Sequence, residues 1–467
     1  MKNSITKKIS ISILIVMIVQ ILMSMVGIMD FAIKSHAYYD GKAERDGLKF
    51  EWFFSYPYGA PSKTKAVTTV TGIAGSLPSN GTLNISKLGD GYVDDYIYKR
   101  PIVVKSIGEK AFCNMAKLEK VYIPNTLTNI GESAFYKTGL KELNIGNNGL
   151  SIRIGSNAFN SCYKLETVKI ESQLDDIEYG VFNECIALKS ISFSKGVRAI
   201  HNYAFSDCKS LTSIDCKGDV KSIGDEAFAG CTSLREVKIA GEKASTGYVE
   251  FDGIGNKAFF NCNKLTNITI PKSVKSIGEQ AFAHCTSLKT IKIPGNVKTI
   301  GESAFFECTN LKEVIIEEGV EEIQENAFLI CNNLKYVYIP KSVKSIHKYL
   351  SSNFKNSNAT IICYKGSVAE EYAKKYNLNY VNIDENPGLY LKQKGNTLEY
   401  SVGRKILGQS IYLLDTEGKN IINSSKYSGS VNITKSGTYK LVVKNATTLK
   451  NMFTKTCTVK LNRTSRK

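Results

Sequence analysis

Between residues 104 and 346 the apolar positions repeat one pattern, and a full unit reads Val274-x-x-Ile277-Gly278-x-x-Ala281-Phe282-x-x-Cys285-x-x-Leu288-x-x-Ile291-x-Ile293-Pro294. Its last part alternates apolar and polar residues, which predicts a short strand with one buried face. Pro294 closes that strand because proline cannot donate to a ladder hydrogen bond. The preceding Ala-Phe-x-x-Cys-x-x-Leu part spaces apolar residues by three, which predicts a helical or 3₁₀ return turn. Ala-Phe recurs at residues 111, 134, 158, 204, 227, 258, 281, 304 and 327, and Val181-Phe182 fills the remaining slot. Successive phenylalanines lie 23, 24, 23, 23, 23, 31, 23, 23 and 23 residues apart. One such unit buries too little apolar surface to offset the entropy of ordering it, so units must stack. The predicted fold is a repeat solenoid whose strands form a continuous parallel sheet with short helical or 3₁₀ returns.

The unit resembles that of the BspA-like family of bacterial leucine-rich repeats, written with the same I-G-x-x-A-F-x-x-C-x-x-L core, over roughly residues 104–384. The resemblance implies a curved right-handed solenoid on a secreted or surface protein, often associated with adhesion, and implies no catalytic residues. Caps are expected at both ends. Residues 38–103 hold the β-prone run Lys65–Gly72, expected to form strands over the first repeat. Residues 347–384 read as a strand at Ala359–Tyr364, a capping box at Ser367–Glu370 opening a helix to about Tyr376, and a last strand at Tyr380–Ile383. The run Cys363–Ala373 is similar to the family's closing cap.

Beyond Pro387 the period disappears. Alternating runs at Thr397–Val402, Ser410–Leu414, Ser430–Ile433, Gly437–Lys444 and Thr456–Leu461 predict a small β-sandwich over residues 385–467. Gly437–Val443 is similar to a late strand of immunoglobulin-like modules in bacterial surface proteins. Charge separates this region from the rest. It carries 15 Lys and Arg against 4 Asp and Glu, whereas residues 101–384 carry 34 against 31. The net charge of +18 therefore belongs mainly to the C-terminal end.

Residues 1–37 form an export signal: Lys2, Lys7 and Lys8 precede an apolar stretch from Ile9 to Met29, and Ser35-His36-Ala37 resembles a cleavage site. The stretch is also long enough to span a bilayer as an uncleaved anchor, but the tripeptide favours removal and a mature start at Tyr38. No later segment reads as a membrane span. The C-terminal residues show no sorting motif followed by a hydrophobic tail, so covalent wall attachment is not expected.

The 12 cysteines of an exported chain suggest disulfides first. Their placement points elsewhere. Cys162, Cys185, Cys208, Cys231, Cys262, Cys285, Cys308 and Cys331 share one repeat position, held by Met115 and Thr138 in the first two repeats. A column of buried thiols is expected. No C-x-x-C pair occurs, and no nucleophile elbow, H-E-x-x-H, P-loop or calcium loop. His201 and His347 replace the glycine of Ile-Gly, and His284 precedes a core cysteine and is expected to point away from it. No cofactor and no metal are expected.

The residue between the last two apolar positions of each strand faces outward, as Tyr122, Asn144, Lys169, Ser192, Asp215, Lys238, Thr269, Lys292, Ile315 and Tyr338. Solenoids bind partners on such faces, and Tyr122, Lys169, Lys238, Lys292, Ile315 and Tyr338 are the candidate contacts. A second candidate region is an insertion around Gly241–Asp252 containing Tyr248, Val249 and Phe251. In the basic module Lys392, Lys394, Arg404, Lys405, Lys440, Lys444, Lys455 and Lys460 are candidates for an anionic surface such as a cell-wall polymer. Specific nucleic-acid binding has no motif here. The expected function is secreted or cell-surface recognition of a protein or glycan. The alternative is a structural component of a surface layer or biofilm matrix.

Overall fold

The structure is a computed structural model. It describes residues 36–45, 48–57, 66–90, 92–94, 99–147, 149–218, 220–239, 252–347, 358–384, 388–394, 396–403, 409–422, 427–445 and 451–459. The expected export signal as far as residue 35, the inserted residues 240–251, Arg404, Lys405 and Lys460 lie outside them. Two compact units divide the chain, Met1–Ser273 and Val274–Lys467.

In the first unit the expected strands stack in parallel and in register, in the order Glu142–Ile145, Thr167–Ile170, Ser190–Phe193, Ser213–Asp215, Glu236–Lys238, Asn267–Ile268. Leu143, Val168, Ile191, Ile214, Val237 and Ile268 point inward and are buried. A second parallel ladder, which the pattern did not announce, is built from the residue pair ending in the Ile of Ile-Gly. It runs through Asp176–Ile177, Ala199–Ile200, Ser222–Ile223 and Gly253–Ile254. The glycine after that Ile is needed because turns stack closely there. A Cβ on Gly131 would lie 2.6 Å from the amide nitrogen of Glu109. The run from Ala66 forms a strand, Ala66–Ile73. It is parallel to Lys99–Ile107, which is parallel to Asn129–Ile130, and on its other edge it pairs with the hairpin His36–Arg45/Leu48–Pro57.

The return segment differs from a helix. The residue before Ala-Phe and the second residue after it are left-handed, as at Lys110 (φ 53°) and Asn114 (φ 63°) or Tyr203 (59°) and Asp207 (56°). A left-handed residue cannot continue a right-handed helix, so the backbone amides turn along the stacking axis. Lys110, Phe112 and Asn114 donate to the carbonyls of Glu132, Ala134 and Tyr136 at 2.9, 2.8 and 2.7 Å. The return is thus a third inter-repeat ladder. It carries the central column, in which Phe112, Phe135, Phe159, Phe182, Phe205, Phe228 and Phe259 stack at 5.1 to 5.7 Å between centroids, fully buried. Each such pair adds about 0.5–1.5 kcal/mol beyond burial.

The thiol column sits beside it. Cys162, Cys185, Cys208, Cys231 and Cys262 are buried, and each Sγ donates to the phenylalanine carbonyl of the preceding turn at 3.1 to 3.2 Å. Thr138, a small side chain that also carries a donor, holds the same position in the second repeat. Its hydroxyl meets Cys162 Sγ at 3.2 Å.

The second unit repeats these three ladders. Strands Thr290–Ile293, Glu313–Ile316, Tyr336–Tyr338, Thr360–Cys363 and Asn379–Asn382 are parallel and in register. Phe282, Phe305 and Phe328 stack at 5.1 and 5.3 Å, and Cys308 and Cys331 donate to the carbonyls of Phe282 and Phe305. A helix, Val368–Lys375, begins at N-cap Ser367, whose Oγ accepts from the Glu370 amide at 3.3 Å. Glu370 does not reach back to the N-cap amide. It accepts from Gly366 N at 2.6 Å and from Asn382 Nδ2 at 2.8 Å. Those bonds, the Asn382 one foremost, hold its carboxyl at about 2.

After the helix come two three-stranded antiparallel sheets. One is Leu389–Lys394, Thr397–Val402 and Ser428–Asn432; the other is Gln409–Leu414, Gly437–Asn445 and Asn451–Val459. Leu391, Leu398, Tyr400, Ile411, Leu413, Tyr439, Leu441 and Val443 fill the space between them. Gln409 Nε2 donates to the carbonyl of Ile383 at 2.6 Å, tying the sandwich to the end of the repeats.

Candidate ligand-binding faces

In the first unit the alternation of the strands places Tyr122, Asn144, Lys169, Ser192, Asp215, Lys238 and Thr269 on one outward column, most of them exposed. Their charges are met locally. Lys169 pairs with Glu171 at 2.5 Å and Lys238 with Glu236 at 3.6 Å. Lys120 lies over the Tyr122 ring at 5.1 Å and bonds Glu142 at 2.9 Å, which raises its pKa. One step back, where the turn enters the strand, the first four corner residues, Glu119, Lys141, Glu166 and Lys189, alternate in sign. Glu119 meets Lys141 at 2.6 Å, and Glu166 meets Lys189 at 2.6 Å. A shallow groove of about 460 Å³ beside Asn80 and Thr82 is lined by these same ion-paired residues.

The second unit presents a different face. Lys292, Ile315 and Tyr338 are in-register neighbours, and the column continues into Ile362 and Val381. Lys292 is taken up by Glu317 at 2.8 Å. Ile315 and Tyr338 are half-buried and Ile362 is buried, so this outward column is apolar over most of its length. Burial, with Glu313 and Tyr336 adding to it, pushes the Tyr338 hydroxyl up to about 12.

The corner column of this unit was missed by reasoning centred on the strand middles. It holds Lys289, Lys312 and Lys335, whose backbones bond one to the next, Lys312 N to Lys289 O at 2.8 Å and Lys335 N to Lys312 O at 2.9 Å. All three are exposed, and among the described residues none has an ion-pair partner. Column neighbours stand about 4.8 Å apart, where two like charges in water repel by about 1 kcal/mol. The signal was present in the sequence as three lysines at 23-residue spacing. The opposite corner of the same unit alternates instead: Lys298 and Lys344 flank Glu321 at 3.0 and 2.6 Å and hold its carboxyl at about 2.

The sandwich does not gather its candidate lysines into one patch. Lys392 and Lys394 lie on the outer side of the first sheet, with Glu399 across from Lys392 and 3.4 Å from Lys394. Lys440 and Lys444 share the outer side of the second sheet, and Lys444 lies over the Tyr412 ring at 4.6 Å. Lys455 is opposite the core residue Leu441, out of step with Lys440, and is exposed on an edge strand.

His284 Nδ1 lies 3.0 Å from Glu307 and His347 Nε2 lies 2.8 Å from Glu322. Among the described residues no group of His, Cys, Asp or Glu is arranged to hold a metal ion, and no helix is long and apolar enough to cross a membrane.

The three-ladder turn with its Phe and Cys columns is matched by a family model, BspA type leucine rich repeat region, over residues 98–153, 152–253 and 252–379. The chain belongs to the BspA-type leucine-rich-repeat family. The chain is similar to several solved structures. One is a leucine rich cell surface protein of Faecalibacterium prausnitzii, 25% identical over 71% of this chain and 97% of that one, with a TM-score of 0.35. Another is a leucine-rich repeat protein of Bacteroides ovatus, 25% identical over 72% and 100%, TM-score 0.30. The pneumococcal vaccine antigen PcpA is 17% identical over 73% and 98%, TM-score 0.29. No curated protein matches the chain. In this BspA-type solenoid the positions that repeat from turn to turn are accounted for by stacking, which leaves the outward columns as the place where one turn differs from the next.

Proposed function

We propose that this BspA-type protein is exported and acts at the cell surface, recognising a protein or glycan through the outward strand face of its repeats. In this proposal residues 1–37 direct export, 38–103 and 347–384 cap the repeats of 104–346, and 385–467 associates with an anionic surface. The observation that carries it is the in-register column Ile315–Tyr338, adjacent half-buried apolar groups on a face where the first unit, Tyr122 apart, has paired charges and small polar residues. Tyr is enriched in interface cores because it offers a large rigid face with a polar tip. A surface-layer component would be served by uniform polar cover, and this column departs from it. Catalysis is no part of the proposal.

The test is binding of the mature protein to arrayed cell-wall polysaccharides and extracellular-matrix proteins, compared with the Ile315→Ser/Tyr338→Ser variant and with Lys298→Gln on the opposite corner. Loss of about tenfold or more in affinity for the double variant, with the Lys298→Gln protein unchanged, is expected. A double variant that melts normally and binds every array component as the parent does would overturn the proposal.

A further inference from the structure

We propose that the second unit binds a linear acidic polysaccharide laid along the stacking axis, its carboxylates on the Lys289–Lys312–Lys335 ladder and its sugar rings against Tyr336 and Tyr338. This rests on the recognition reading above and names the ligand's chemistry. In the first unit the same corner brings column neighbours to 2.6 Å of one another, as Glu119–Lys141 and Glu166–Lys189. Side chains at this corner therefore converge along one line. In the second unit that line holds three exposed ammonium groups, and among the described residues none is paired. Such a ladder repels itself, and a row of anions at matching spacing relieves the repulsion.

Steps of about 4.8 Å set the three ammonium groups in one row along the stacking axis, a line that a linear chain carrying one carboxylate per sugar can follow. The neighbouring columns suit the rest of the sugar. Thr290, Glu313 and Tyr336 form one, and Lys292, Ile315 and Tyr338 the next. Aromatic and apolar groups there cover the C–H faces of sugar rings. Outside the ladder Asn310 and Asn333 are held by Nδ2 bonds of 2.8 Å to the carbonyls of Thr286 and Thr309, which leaves their side-chain oxygens to accept from sugar hydroxyls. Glu313 beside the ladder, and the pairing of Lys292 with Glu317, keep the face from being uniformly positive. That balance fits one charge per sugar better than a densely charged phosphate polymer.

The experiment is titration calorimetry of the mature full chain with oligogalacturonides of one to six residues, their methyl esters, and single-stranded oligothymidylate. Trimers and longer oligomers are expected to bind, and the monomer and the methyl esters are not. Lys289→Gln/Lys312→Gln/Lys335→Gln should weaken binding at least about tenfold and flatten its salt dependence. Lys298→Gln on the opposite corner, where the lysine is paired with Glu321, should leave it unchanged. The ladder variant should melt no lower than the parent, because it removes repulsion. Equal binding by the ladder variant, equal binding of the methyl esters, or tighter binding of oligothymidylate than of oligogalacturonide overturns the inference. If no uronate binds while the array ligand still depends on Ile315 and Tyr338, this inference fails and the recognition proposal stands.

Discussion

The thiol column lends itself to a direct chemical test, reaction of the native protein with iodoacetamide at pH 8. Ten of the twelve cysteines are buried, and only Cys113 and Cys457 are partly exposed. The reacting species is the thiolate. Burial pushes Cys216 and Cys331 from 9.0 to about 12. At equal pH they therefore hold about a thousandfold less thiolate than an ordinary cysteine. The reagent also has to wait for a local opening, which is rare for groups sealed between stacked turns. Mass spectrometry after native labelling should find label on Cys113 and Cys457, with the other ten modified only after denaturant is added. All twelve should then react without a reductant. Labelling of the buried ten at the rate of the exposed pair, or fewer than twelve alkylated sites in unreduced denatured protein, would refute the column of packed thiols. Substitution gives a second measure. Cys208→Ala removes the donor to Phe182 O, 3.1 Å away, and opens a small cavity, at a cost of about 1–2 kcal/mol. Cys208→Ser keeps a donor and should melt closer to the parent.

Ile330 is β-branched and left-handed at φ 62°. Ile330→Gly should therefore raise the melting temperature, by an amount equivalent to about 1 kcal/mol. A fall would show that its side chain contributes more than its backbone strain costs. Glu370 has a depressed carboxyl pKa, so its stabilisation is complete above the unfolded value near 4.5 and is lost as pH falls toward about 2. Glu370→Gln should destabilise by about 2 kcal/mol at pH 7 through the Gly366 and Asn382 bonds, and the gap to the parent should close across that acid window in chemical unfolding. For the sandwich, Lys440→Gln/Lys444→Gln should weaken adsorption to anionic vesicles or wall polymer and reduce its salt dependence. The same change at Lys392 and Lys394, beside Glu399, should do less.

The solenoid was legible because its apolar residues return every 23 positions, and stacking then forces the Phe and Cys columns into register. The return ladder was not. Its left-handed positions are filled mostly by residues such as Lys110, Tyr203 and Ile330, which give no glycine signal, and the neighbouring repeat imposes the conformation through hydrogen bonds. The outward columns were placed correctly along each strand, but their electrostatics depend on partners in the same or the next turn. Lys169 and Lys292 look like free cations in the sequence and are paired with Glu171 and Glu317. Lys289, Lys312 and Lys335 look unremarkable one repeat at a time and become a ladder only when the repeats are aligned at that corner. In the sandwich the alternation gave the strands, but parity against the core separated Lys455 from Lys440, and Glu399 set Lys392 and Lys394 apart from Lys444.

Hydrogen exchange of the mature chain with and without the array ligand tests the recognition face most directly. Ligand should slow exchange at Glu313–Ile316 and Tyr336–Tyr338 and leave Lys120–Tyr122 and Thr167–Ile170 as they were. Protection confined to Leu389–Val459, with the strands of the second unit unchanged, would contradict the assignment of recognition to the solenoid.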